Sequence, residues 1–149
     1  MRLLLLSAAL AASVALAHNH QKGDIQVHHP WSRATPPGAK VGVGYMEIRN
    51  RGKQPDRLVS ASTTVAKRVE MHVTQRDGDI AKMRQLKAFE IPGGERMLLA
   101  PDGAHLMLVD LVAPLKRGER FKITLRFERA GDLEIEMEVQ EMGSRHSRH

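Results

Sequence analysis

Short apolar or alternating runs recur along most of the chain, with turn-forming residues between them. They predict strands at Ile25–His28, Val43–Arg49, Arg57–Ser60, Val69–Val73, Met83–Phe89, Arg96–Leu99, His105–Leu111, Phe121–Phe127 and Leu133–Val139. The breakers include Pro36-Pro37-Gly38, Asp77-Gly78-Asp79, Pro101-Asp102-Gly103 and Ala130-Gly131-Asp132. Gly and Asn supply positive φ there, while Pro and Asp start turns. Phe121–Phe127 alternates apolar with basic or polar residues, and Leu133–Val139 alternates apolar with acidic ones. Joined by a turn at Arg129–Asp132, the two predict a hairpin with Lys122 and Arg126 facing Glu134, Glu136 and Glu138. Thr63–Arg68 is the one helix candidate, a single turn. Many short strands so punctuated predict one all-β domain, an antiparallel sandwich or barrel.

The ends read differently. Residues 1–17, MRLLLLSAALAASVALA, have a basic start at Arg2, an apolar run too short to span a bilayer comfortably, and Ala15-Leu16-Ala17 before a cleavage point. They are expected to be a secretory signal removed after Ala17, an uncleaved membrane anchor being the alternative. Residues 18–24 form a polar extension, 25–140 the domain, and 141–149 (EMGSRHSRH) a flexible tail. The expected location is the periplasm.

Composition narrows the chemistry. The chain has no cysteine, so disulfides and thiolate sites for zinc, iron–sulfur clusters or blue copper are out of reach. Eight Met stand beside three Phe, one Tyr and one Trp. A net charge of +6 with so few aromatics to stack bases argues against a nucleic-acid partner in an exported protein. Nothing supplies a substrate pocket or a general base, so the protein is not read as an enzyme.

One spacing stands apart: His72, ten residues, Met83, twenty-one residues, His105, one residue, Met107. Two neutral imidazoles and two soft thioethers suit Cu(I), whereas Mg, Ca and Mn prefer charged oxygens. His105 and Met107 lie two apart on a predicted strand and point the same way. If the strands holding His72 and Met83 pair as a hairpin, all four side chains converge from adjacent strand ends at one rim. Singly, each Met is more often core and each His more often a hydrogen-bonded surface residue.

With that motif unbroken, the sequence resembles the periplasmic copper chaperones of the PCuAC type, over about Ile25–Val139. Trp31-Ser-Arg-Ala-Thr35, Gly44-Tyr-Met-Glu-Ile-Arg-Asn50, Asp56-Arg-Leu-Val59, Ile91-Pro-Gly-Gly94 and Pro101-Asp-Gly-Ala-His-Leu-Met-Leu108 carry the rest of the likeness. Asp102-Gly-Ala varies the family's usual Gly-Gly before the second His. The resemblance implies a cupredoxin-like Greek-key β-sandwich or barrel, with Cu(I) bound by His72, Met83, His105 and Met107. It also implies delivery to the CuA-bearing subunit of cytochrome c oxidase, often with Sco-type proteins. A monomer is expected.

Secondary Cu(II) candidates lie at the termini. Cleavage after Ala17 would leave His18-Asn19-His20, where an amine, two amides and a third-position imidazole make a square-planar set. Met142, His146 and His149 lie on the tail. His28-His29 point to opposite faces of a strand and make a poor chelate. Competing readings use the same residues for copper storage or tolerance, place a copper redox enzyme here, or treat the His and Met as incidental to a β-sandwich interaction module.

Overall fold

The computed structural model describes residues 20–145. They form eleven strands: β1 (His20–Lys22), β2 (Ile25–Arg33), β3 (Val41–Asn50), β4 (Asp56–Thr63), β5 (Ala66–Asp77), β6 (Ile80–Leu86), β7 (Phe89–Ile91), β8 (Arg96–Leu99), β9 (Ala104–Leu111), β10 (Arg120–Phe127) and β11 (Gly131–Gln140). One continuous sheet runs β6-β5-β9-β8-β3-β2-β11-β10-β4-β7, with β1 on β2 and a further β9–β3 pairing. It curls around a single core to which nearly every strand contributes, from Met71, Leu106 and Leu108 through Ile48 and Val27 to Ile123, Leu58 and Phe89.

The sheet is mixed, not purely antiparallel as expected. β11 returns to lie parallel to β2, and β8 meets β9 in parallel at Leu99 and Ala104. Two further expectations fail locally. Thr63–Arg68 forms no helical turn: Thr63 ends β4, and from Ala66, paired with Leu111, the chain is already β5. Val65 fixes the crossing by accepting a hydrogen bond from the Val112 amide at 3.0 Å. Met83–Phe89 is not one strand. β6 ends at Leu86 on the flank of β5, and β7 pairs with β4 instead. The break lets Phe89 turn into the core.

The β10–β11 hairpin forms as expected, with Ile123 opposite Ile135. Its ion pairs are Lys122–Glu134 at 3.4 Å, Arg120–Glu136 at 3.1 Å and Arg126–Asp132 at 2.9 Å, so Arg126 meets the aspartate rather than a glutamate. Buried Asp56 ties β4 to this hairpin's turn by accepting from the Arg129 and Ala130 amides at 2.8 and 3.0 Å. Residues 141–145 fold back onto the domain. Ser144 O accepts from Arg33 Nε at 2.8 Å, and Arg145 pairs with Asp102 at 3.5 Å.

Candidate metal centre

β5 lies between β6 and β9, and register decides what its outer face presents. His72 is opposite His105 on one side and Gln85 on the other; Glu70 is opposite Met107, and Thr74 opposite Met83. Opposed residues share a face, and so do residues two apart. His72, Met83, His105 and Met107 therefore share one face of three adjacent strands, together with Glu70. His72 and Met83 sit mid-strand on a diagonal, not at strand ends. The opposite face carries Met71, Leu106 and Leu108 into the core. Those apolar residues lock the register, since a one-residue slip would bury His72 and expose Met71. Met71, at 7% exposure, is thus a core residue and turned away from the site.

The two imidazoles stand with ring centroids 5.7 Å apart. His105 is 3% exposed. Its Nδ1–H donates to Gly103 O at 3.1 Å, and that carbonyl also accepts from the Thr74 amide. The loop reaching Gly103 holds Asp102 at φ 66°, a left-handed conformation that Asp tolerates better than most residues. His72 is held from the other ring atom: Nε2–H donates to Glu70 Oε2 at 2.8 Å. A carbonyl and an ionised carboxylate only accept, so these partners fix both tautomers.

His72 Nδ1 and His105 Nε2 are buried and have no hydrogen-bond partner among the described residues. An unsatisfied buried polar group costs about 1–3 kcal/mol, and sheets seldom leave two on directly opposed residues. Burial pushes the His105 pKa down from its ordinary value of 6.5, against a smaller upward pull from the Gly103 hydrogen bond. Its free nitrogen thus carries a lone pair at neutral pH. Hydrogen bonds from His72, then Arg68, hold the Glu70 carboxyl below the usual carboxylate range.

The thioethers differ in setting. Met107 is half-buried between Glu70 and Val43, whereas Met83, on edge strand β6, is 61% exposed. Beyond Val43 the same face continues to Tyr45, whose ring packs on Trp31 at 4.7 Å with the Arg33 guanidinium 5.4 Å from its centroid. The centre is an open face and not an enclosed cavity. Clefts lie beside Arg49, Arg51 and Arg96, and beside His29, Trp31 and Leu98. Among the described residues no three His, Asp or Glu converge as a metal cluster.

Of the terminal candidates, His20 and Met142 are among the described residues. His20 lies in β1, separated from β9 by β2 and β3, and its Nε2 accepts from the Glu136 amide at 3.3 Å. Met142 is exposed on the returning segment. His18, His146 and His149 lie outside the described residues. His28 and His29 straddle a bulge, with His29 at φ 51° and His28 Nε2 bonded to Gln26 Oε1 at 3.2 Å. Glu70 was not among the expected site residues. Its signal was available, because a carboxylate two before a histidine on a strand shares its face.

Residues 25–139 match the family model described as "Putative lipoprotein LpqE-like". The chain belongs to the LpqE-like family. This PCuAC-related assignment agrees with solved PCuAC domains. The copper-bound PCuAC domain from PmoF2 is 30% identical, with 83% of this chain and 98% of that one covered at a TM-score of 0.74. Cu(I)-loaded DR1885 from Deinococcus radiodurans is 31% identical, with 87% and 85% covered at a TM-score of 0.64. The LpqE-like chain is therefore all-β with the PCuAC, cupredoxin-like fold. Leifsonia xyli subsp. xyli (strain CTCB07) has a relative named "Putative lipoprotein Lxx21020", 33% identical over 108 residues, which are 72% of this chain. The chain spans 64% of that relative's length.

Proposed function

We propose that the protein is an exported copper chaperone that carries Cu(I) on His72 Nδ1, His105 Nε2 and the sulfurs of Met83 and Met107. The two partnerless buried nitrogens, on directly opposed residues of β5 and β9, carry this reading. Neutral nitrogen and thioether donors suit Cu(I). The likeness to PCuAC domains solved with copper, at about 30% identity, supports the same cargo. An open face with one ligand on an exposed edge strand suits transfer, because an acceptor can displace Met83 first and the buried His105 last. The acceptor is the CuA centre of cytochrome c oxidase, with Sco-type proteins as co-workers, and the protein works as a monomer in the periplasm. The terminal His and Met residues serve at most as secondary Cu(II) sites.

An anaerobic Cu(I) competition titration against a coloured chelator tests the cargo. One equivalent bound tightly, and bound more weakly in Met83→Ala and Met107→Ala, is expected. Binding untouched by either change would return these methionines to packing. Transfer of that copper to an isolated CuA domain then separates a chaperone from a storage protein.

A further inference from the structure

The two imidazoles are held by different partners and so expose different nitrogens. His105 is fixed by a backbone carbonyl, which no side-chain change removes. His72 is fixed by a side chain, Glu70, whose two oxygens are divided: Oε2 takes His72 Nε2–H at 2.8 Å, and Oε1 takes Arg68 Nε at 2.9 Å. Arg68 is anchored in turn by Asp110 Oδ2 at 3.2 Å. Arg68, Glu70 and His72 alternate along one face of β5, and Asp110 reaches them from β9. A chain of acceptor, donor, acceptor and imidazole thus ends on a single ring atom.

We propose that Glu70 is a positioning residue that fixes the ring and tautomer of His72, making Nδ1 its copper-binding atom. The inference rests on the copper reading above and adds a residue to it. An imidazole with no partner can turn over about its ring bond or move its proton to the other nitrogen. Either change would aim a C–H or N–H at the place where His105 Nε2 and the thioethers offer lone pairs. An outer carboxylate on a ligating histidine prevents both, and its loss typically lowers metal affinity about 10–100-fold. Glu70 does not itself suit Cu(I), being a hard oxygen donor already engaged by two cations or N–H groups. Its position opposite Met107 nonetheless keeps it at the margin of the site.

The test is heteronuclear NMR of the uniformly ¹⁵N,¹³C-labelled full chain, with anaerobic Cu(I) added, in wild type, Glu70→Ala and Glu70→Gln. In wild type, the His72 Nε2–H correlation should be visible without metal and persist with Cu(I), while the Nδ1 resonance moves. Glu70→Ala should lose that correlation to solvent exchange and bind Cu(I) about 10–100-fold more weakly. Its backbone amide spectrum over β10–β11 should stay unchanged, which shows that the fold survives. Glu70→Gln keeps an oxygen that accepts from Nε2–H and should restore the correlation and most of the affinity. Cu(I) moving His72 Nε2 in place of Nδ1 would overturn the proposal, as would unaltered affinity in Glu70→Ala. Failure of the copper reading itself looks different: no resonance of His72, His105, Met83 or Met107 would respond to Cu(I) in wild type, and this proposal would fall with it.

Discussion

The outer face of the β10–β11 hairpin and the outer face of β6-β5-β9 are built on the same alternation, yet they treat polar groups in opposite ways. On the hairpin each basic residue meets an acid across the strands: Arg120 with Glu136, Lys122 with Glu134, Arg126 with Asp132. These groups are solvated, paired and individually of little energetic weight. On the other face His105 is buried and His72 half-buried, and one buried nitrogen of each has no partner among the described residues. Packing for stability alone would not leave that deficit at two opposed positions. A ligand that supplies bonds to both nitrogens removes it. The contrast therefore sets the two faces apart by an unmet bonding requirement, which the paired charges of the hairpin do not share.

The methionines divide along the same line, and this gives the largest expected effect. Met46 and Met137, 1% and 0% exposed, belong to the core. Their replacement by Ala should each cost about 2–5 kcal/mol in chemical denaturation. Met83→Ala should change stability by less than about 0.5 kcal/mol, because its side chain is mostly in water, yet weaken Cu(I) binding. Equal destabilisation by Met83→Ala and Met137→Ala would erase the distinction. Next, His105→Ala should lower Cu(I) affinity by more than the roughly 100-fold upper range for an outer-shell partner, in the same competition assay.

The pattern of strands was readable because apolar alternation and turn residues agree, as at Phe121–Phe127 and Leu133–Val139. The failures have a common cause in long-range pairing. Nothing local marks Lys87-Ala88, with neither Gly nor Pro, as the place where the chain leaves β5 for β4; the burial of Phe89 decides it. Thr63–Arg68 resembles a helical turn until Ala66 finds Leu111. The four proposed ligands were legible from spacing and softness alone. Their common face depended on registers such as Thr74 opposite Met83, which the sequence does not state. The role of Glu70 needed the observed hydrogen bond to His72.

A pH series sharpens the comparison at intermediate scale. Burial holds the folded-state pKa of His105 below 6.5, so between 6.5 and that lower value the unfolded chain binds more protons than the folded one. Stability of the metal-free protein should be complete above pH 6.5 and decline as pH falls toward the folded pKa. Chemical denaturation at a series of pH values checks this, and His105→Gln should flatten it. Cu(I) affinity should likewise hold near neutrality and weaken through roughly pH 6 to 5, where protons compete for the imidazoles. Affinity unchanged down to pH 4 would remove both histidines from the ligand set. The smallest effect belongs to the hairpin. Lys122→Ala should shift stability by less than about 0.5 kcal/mol, fading further in high salt, and leave copper binding alone.

The central claim is that the unmet nitrogens of His72 and His105, with the sulfurs of Met83 and Met107, form one Cu(I) site. X-ray absorption at the copper edge of the protein loaded with one equivalent of Cu(I) tests it most directly. A first shell of two nitrogen and two sulfur scatterers, reduced to one sulfur in Met83→Ala, is expected. A shell of nitrogen and oxygen alone, unchanged by that substitution, would contradict it.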